Sequence, residues 1–187
     1  MAKLVLVRHG VTEWNNLGLW TGWAETDLIP EGIEQARRAG EAIKDTHFDL
    51  AYASDLSRSQ KTLEIIKEVL GYEIPTTISP EIKERDYGDL TGKNKWEIKK
   101  EYGEEQFNKW RRSWDEEIPN GEHLKKVYER VIPYFEKEIL PQLILGKNIL
   151  VSAHGNSLRA LAKKLDNVAD SDVHTLEINT GEAWVYD

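Results

Sequence analysis

The chain has no cysteine among its 187 residues, which excludes disulfides, thiolate metal sites and a thiol nucleophile. Its apolar runs are short. None approaches the roughly 20 residues of a membrane span, and the first residues lack the basic, apolar and small-residue regions of a secretory signal. Positive charge is in the minority, with 25 Lys and Arg against 33 Asp and Glu, a net −8. That balance disfavours nucleic acid and anionic membranes as partners and points to a cytoplasmic protein. Histidine is sparse, five residues scattered without ligand spacing, so no metal is expected. Linkers, repeats and low-complexity tracts are missing, and residues 1–187 read as one domain with a single substantial core.

What is present begins at the N-terminus, where Leu4-Val5-Leu6-Val7 delivers Arg8-His9-Gly10. Four branched aliphatic residues in succession read as a strand buried on both faces, as in a parallel sheet. Such strands end at the carboxyl edge, where open α/β folds bind ligands. A second strand, Asn148 to Ala153, runs into His154-Gly155-Asn156-Ser157 and a helical pattern through Leu165. Asn156 or Ser157 is the expected cap of that helix, whose free N–H groups favour an anion. Neighbouring parallel strands would bring His9 and His154 to one edge.

Between them, Pro30 to Ile43 and Leu56 to Leu70 show helical spacing, and Phe48 to Ala53 reads as a strand. Thr76 to Glu84 holds a short extended piece. Helical patterns fill Trp96 to Leu145, broken near Pro119-Asn120-Gly121 and bent at Pro133. Thr175 to Asn179 and Ala183 to Tyr186 read as strands around a Thr180-Gly181 turn, the last one antiparallel. Alternating strands and helices give a three-layer α/β/α sandwich with a mostly parallel sheet.

Three further groups bear on chemistry. Arg58 follows a strand and opens a helix, so it can point to the same edge. The mixed-charge stretch Glu81 to Gly88 contains carboxylates, one of which would serve as general acid and base if held near phosphate. Lys93 to Arg112 carries seven basic residues against four acidic ones. The plain reading is a solvated helix face; the functional one is a basic wall facing an anion, with Arg111-Arg112 able to fork onto carboxylate or phosphate.

With Thr12, Trp14 and Asn15 behind Arg8-His9-Gly10, and with the Arg58 context, Glu84 and Ala153-His154-Gly155-Asn156, the sequence resembles the histidine phosphatase superfamily. Thr21-Gly22-Trp23, Glu84 to Gly88, Gly92 to Lys95 and Trp110-Arg111-Arg112 are similar to its cofactor-dependent phosphoglycerate mutase branch, and the resemblance covers nearly the whole chain. It implies His9 as nucleophile, with Arg8, Arg58 and His154 around the transferred group. Asn15 and the Gly155 N–H complete that cradle, and Glu84 moves the substrate proton. Tyr87, Lys95, Arg111 and Arg112 hold the glycerate carboxylate and second phosphate, with Thr21, Gly22 and Asn156 also lining the site. It also implies priming by 2,3-bisphosphoglycerate, interconversion of 2- and 3-phosphoglycerate, and no metal.

Val11 replaces an acidic residue usual after the glycine. Trp114 reaches Pro119-Asn120-Gly121 after a short connection, and the sequence stops at Asp187 just after Tyr186. From these departures one expects a monomer, with a homodimer second, and some loss of the phosphoryl group to water. The alternative function is a phosphomonoesterase acting on small phosphorylated metabolites with the same histidine. A third reading, a single-strand nucleic-acid grip using Trp96, Phe107, Trp110 and Trp114, is disfavoured by the four interrupting acids.

Overall fold

The structure is a computed structural model describing residues 2–187; Met1, the start of the expected domain, lies outside the described residues. Leu4–Arg8 (β1), Leu50–Ala53 (β2), Thr76–Ile78 (β3) and Ile149–Ala153 (β4) run parallel, and Ala183–Tyr186 (β5) lies antiparallel to β1. Their order is β3-β2-β4-β1-β5. The period-2 alternation divides each strand between two cores. Leu4, Leu6, Ile149 and Val151 face one side; Val5, Val7, Leu150 and Ala51 face the other.

After the short α1 (Glu13–Asn16), helices α2 (Pro30–Ile43) and α3 (Ser57–Leu70) cover the second face through Ala39, Ile43, Leu63 and Ile66. Pro30 opens α2, where its missing N–H costs nothing. Helices α5 (Leu124–Tyr134) and α7 (Gly155–Leu165) cover the first face through Val127, Val131, Leu158 and Leu161. Each fully buried Val or Leu contributes about 1.5–3 kcal/mol of hydrophobic stabilisation. The three-layer sandwich expected from the alternation of elements is therefore present.

Between α3 and α5, α4 (Lys95–Arg112) is capped by the Asn94 side chain and kinked at Gly103, whose φ of 83° is left-handed. Its Ile98, Phe107 and Trp110 join Trp20, Leu90 and Ile118 in a separate small core. Two of the four aromatics considered for stacking on nucleic acid, Phe107 and Trp110, are thus packing residues. The expected bend at Pro133 takes another form. Pro133 stays inside α5, and a π-helical turn over Phe135–Ile139 leads into α6 (Leu140–Ile144). Prolines 133 and 141 bracket that wide turn, each lacking an N–H for the regular ladder.

Two expectations are corrected. Thr175 to Asn179 is not a strand: Thr175 ends a 3-10 turn, and the following residues pair with no neighbour. Guanidinium groups take their carbonyls instead, Arg159 Nε donating to Leu176 O at 2.7 Å and Arg8 Nη1 to Ile178 O at 2.8 Å. Neither Asn156 nor Ser157 caps α7. His154 does, keeping extended backbone (φ −128°), while Ser157 lies three residues inside and its Oγ accepts the His154 N–H at 3.2 Å.

Candidate active site

The parallel register of β1 and β4 sets Arg8 opposite Ala153, so the next residues, His9 and His154, emerge side by side. Their ring centroids are 5.0 Å apart and both are buried. Backbone crowding fixes this edge. A Cβ on Gly10 would lie 2.1 Å from the Gly32 carbonyl oxygen, so only glycine lets β1 pass α2 here. Val11, where the resembled family has an acid, turns its backbone N–H to Gln35 Oε1 of α2.

His9 Nδ1 lies 2.8 Å from Gly10 O. With the proton on Nδ1 donated there, Nε2 is left as the free lone pair. Burial and the neighbouring Arg58 and Arg8 charges hold the His9 pKa well below its ordinary value, so the ring is neutral near pH 7. Burial, Arg58, His9 and Arg8 do the same to His154. A neutral His9 is the form that can attack.

Arg58, on the first turn of α3, is anchored by Nη1 to Ala24 O (2.9 Å) and by Nη2 to Gly22 O (2.7 Å). Gly22 supplies that carbonyl with a left-handed φ of 54°. Arg58 Nε, Arg8 Nε and His154 Nδ1 are all buried without partners. Buried guanidinium N–H groups without acceptors are costly, and two of them, with an unpartnered ring nitrogen of His154, fit a compact anion such as a phosphoryl group. A priming bisphosphate therefore suits the residues present.

Glu84 stands across from them. Its Oε1 accepts the Arg85 N–H at 2.8 Å and the Asn156 N–H at 3.0 Å. Its Oε2 faces Gly155, where an added Cβ would sit 3.6 Å from it and 3.4 Å from Arg8 Cζ. The Glu84 carbonyl is tied to Arg130 Nη2 (2.8 Å) and Trp23 Nε1 (2.7 Å). Behind it, Glu122 binds Arg130; burial would raise its pKa, but Arg130 and the Asp86 N–H hold it below the usual value.

A cavity of about 100 Å³ opens beside Glu84, walled by Arg8, Glu84, Tyr87, Lys95, Arg111, Arg112, Gly155 and Asn156 together with Trp20, Arg159 and Glu177. Burial, Arg111 and Arg8 lower the Lys95 pKa to about 8, with Glu84 opposing. Burial and Glu84 raise that of Tyr87, whose hydroxyl accepts Asn156 Nδ2 at 2.9 Å. The volume is small beside the roughly 300–1,000 Å³ of common ligand sites. Larger hollows lie elsewhere, one of them lined in part by Arg58; neither they nor this cavity include His9 or His154 in their lining.

Most sequence candidates meet here. Eight of them wall the cavity, and His9, Arg58 and His154 are buried outside its lining. Thr21 is buried with its hydroxyl unpartnered, and Gly22 acts through Arg58. Asn15 is the exception: its Oδ1 accepts the Thr12 N–H in a capping box that opens α1. The basic wall is also narrower than its sequence. Lys99 pairs with Glu104 and Lys109 with Glu105 on the solvent side. Sequence reasoning missed Trp20, Arg159, Glu177 and Ser54. Ser54 alone gave a signal, because it follows β2 at the edge where His154 follows the adjacent β4.

A parallel-sheet edge that aims two neutral histidines and unpaired guanidinium N–H groups at one point is built to hold a compact anion. The chain belongs to the histidine phosphatase superfamily: the family described as histidine phosphatase superfamily (branch 1) matches residues 4–186. It is 50% identical, over 98% of its length and 89% of the relative's, to the 2,3-bisphosphoglycerate-dependent phosphoglycerate mutase of Parvibaculum lavamentivorans. Identity is 46% to the protein of that name from Xanthobacter autotrophicus, covering 98% of this chain and 90% of the relative. Among solved structures, the alpha-ribazole phosphatase of Shigella flexneri superposes with a TM-score of 0.84 at 30% identity, over 99% of this chain and 90% of that one. YhfR of Bacillus stearothermophilus shares the fold, with a TM-score of 0.86 at 22% identity, over 99% of this chain and 90% of the other.

Proposed function

We propose that this chain is a single-domain, cytoplasmic phosphoglycerate mutase that uses 2,3-bisphosphoglycerate and passes a phosphoryl group through His9. The observation that carries the reading is the second set of cations, Lys95, Arg111 and Arg112, on the wall of the cavity that also holds Arg8 and Glu84. Removing a phosphate needs cations only around that phosphate. Isomerisation needs a second set to grip the rest of a small polyanion while it reorients. When bound, 2,3-bisphosphoglycerate supplies the phosphoryl group.

In this reading His9 Nε2 attacks phosphorus as the bond to the donor oxygen breaks, and that oxygen leaves with a proton from Glu84. Arg8, Arg58, the His154 ring and the Gly155 N–H stabilise the equatorial oxygens in the transition state. The return step uses Glu84 as base on the accepting hydroxyl. Tyr87, Lys95, Arg111 and Arg112 hold carboxylate and distal phosphate, and Thr21, Gly22 and Asn156 shape the wall. Asn15 completes the cradle only if its side chain leaves the α1 cap. The short Trp114–Pro119 connection supports a monomer, with a homodimer the alternative.

A phosphomonoesterase is the second reading, favoured by the 30% identity to alpha-ribazole phosphatase and by Glu177, which already occupies Arg112. The deciding assay incubates purified protein with 3-phosphoglycerate, with and without 2,3-bisphosphoglycerate, and follows 2-phosphoglycerate and free phosphate together. Bisphosphate-stimulated isomerisation exceeding hydrolysis supports the mutase; hydrolysis alone supports the esterase.

A further inference from the structure

Ser54 follows β2 directly and is fully buried, with its Oγ 2.6 Å from His154 Nε2. The same Oγ accepts the Leu56 N–H at 3.2 Å. A hydroxyl has one proton to give, and no other acceptor takes the proton of Ser54 Oγ among the described residues. If His154 donated from Nε2, the hydroxyl would receive two protons and leave its own buried and unpaired, a costly arrangement. If the hydroxyl donates to Nε2, the serine is satisfied and the ring proton resides on Nδ1; the Ser157 N–H faces the His154 side chain in the capping-box arrangement that opens α7, but Nδ1 completes no hydrogen bond with it. Burial and the surrounding Arg58, His9 and Arg8 keep the ring from carrying both protons.

We propose that Ser54 is a positioning residue that fixes the His154 proton on Nδ1, so that the neutral ring presents an N–H to the anion held beside His9. The serine touches neither substrate nor reacting atoms; it acts through the tautomer. Three devices locate it. Parallel pairing of β2 with β4 brings Ser54 alongside the end of β4. Ser59 Oγ, which accepts the Ser54 N–H at 3.1 Å and donates to Ser152 O at 2.6 Å, stitches the two strand ends together. His154 is in turn held as the N-cap of α7, its backbone N–H donated to Ser157 Oγ at 3.2 Å. The inference rests on the proposed anion-site role of His154, but not on whether the anion's later fate is isomerisation or hydrolysis.

The test uses the full-length protein labelled with ¹⁵N-histidine and inorganic phosphate as the probe. In the native protein, long-range ¹H–¹⁵N correlation is expected to find His154 protonated on Nδ1 alone. Ser54→Ala should mix or reverse the tautomer and weaken phosphate binding about tenfold, while Ser54→Thr, which keeps the hydroxyl, should restore both. A native His154 protonated on Nε2, with Nδ1 accepting the Ser157 N–H, overturns the proposal. So does a Ser54→Ala protein in which only one of tautomer and affinity changes, or neither. If Ser54→Ala fails to fold, the native tautomer and the Ser54→Thr protein still decide. Normal tautomer and phosphate results in a protein that does not isomerise 3-phosphoglycerate would overturn the mutase reading and leave this one standing.

Discussion

The backbone N–H of Asn156 donates to Glu84 Oε1 at 3.0 Å, joining the first turn of α7 to the loop that carries the carboxylate. The Arg85 N–H takes the same oxygen, so Glu84 is gripped on one side while Oε2 remains open toward Gly155 and Arg8. A glutamine can keep Oε1 on both donors and place its amide nitrogen where Oε2 was, retaining the shape without an exchangeable carboxyl proton. Glu84→Gln is therefore expected to lower kcat about 10²–10⁴-fold with KM little changed. Steady-state kinetics on 3-phosphoglycerate checks this, and an unchanged kcat would move the proton-transfer role to another group.

Lys95 sets an alkaline limit. Its pKa of about 8 belongs to the free protein, where burial and then Arg111 and Arg8 disfavour the charge. An anionic substrate binds the protonated form better and so raises the pKa in the complex. KM should accordingly climb as pH passes about 8, by up to about tenfold per pH unit. Lys95→Arg, cationic throughout, should flatten that limb; a native KM level from pH 7 to 9.5 would show that Lys95 does not grip the substrate.

The two buried histidines tie stability to acid. Both have folded pKa values well below 6.5, so the unfolded chain binds more protons as pH falls beneath 6.5. The stabilisation is fully present above that pH and is lost on acidification toward the folded pKa values, at about 1.4 kcal/mol per pH unit for each proton taken up. In anion-free buffer Tm should drop between pH 7 and 5, and His9→Asn should make the drop shallower. Identical slopes for the two proteins would exclude His9 as a source.

Glu177 and Arg111 should act in opposite directions. Arg112 Nη2 donates to both Glu177 oxygens at 3.1 Å, an exposed pair that competes with an incoming anion. Glu177→Gln should lower KM for 3-phosphoglycerate about 2–5-fold, as exposed pairs contribute up to about 1 kcal/mol. Arg111→Ala should reduce isomerisation about 10–100-fold, from about 1.5–3 kcal/mol for a charge-assisted contact. Hydrolysis of an aryl phosphate, which has no carboxylate to hold, should change far less in both variants. Parallel losses in the two activities would favour the esterase.

The strands that matter most were legible because they are buried on both faces: Leu4 to Val7 and Ile149 to Ala153 needed no tertiary information to stand out. The meeting of His9 and His154 was expected only on the condition that these strands are neighbours, and the parallel pairing of β1 with β4 meets that condition. What sequence could not supply was the competition for backbone groups. Leu176 and Ile178 look like strand residues, yet Arg159 and Arg8 take their carbonyls from positions 17 and 170 residues away. Asn156 looks like a cap, yet its backbone N–H goes to Glu84 and its side chain to Tyr87 and Arg159. Asn15 serves the α1 cap for the same reason. Glu177 and Trp20 reach the cavity only through tertiary packing, which no local pattern encodes.

The central chemical claim is that His9 carries the phosphoryl group, and mapping that group tests it most directly. The protein is mixed briefly with 2,3-bisphosphoglycerate, digested under alkaline conditions and analysed by mass spectrometry. A single phosphate on His9 is expected, absent from His9→Ala and discharged by 3-phosphoglycerate with appearance of 2-phosphoglycerate. Phosphate on another residue, label that persists in His9→Ala, or isomerisation that proceeds in that variant would contradict it.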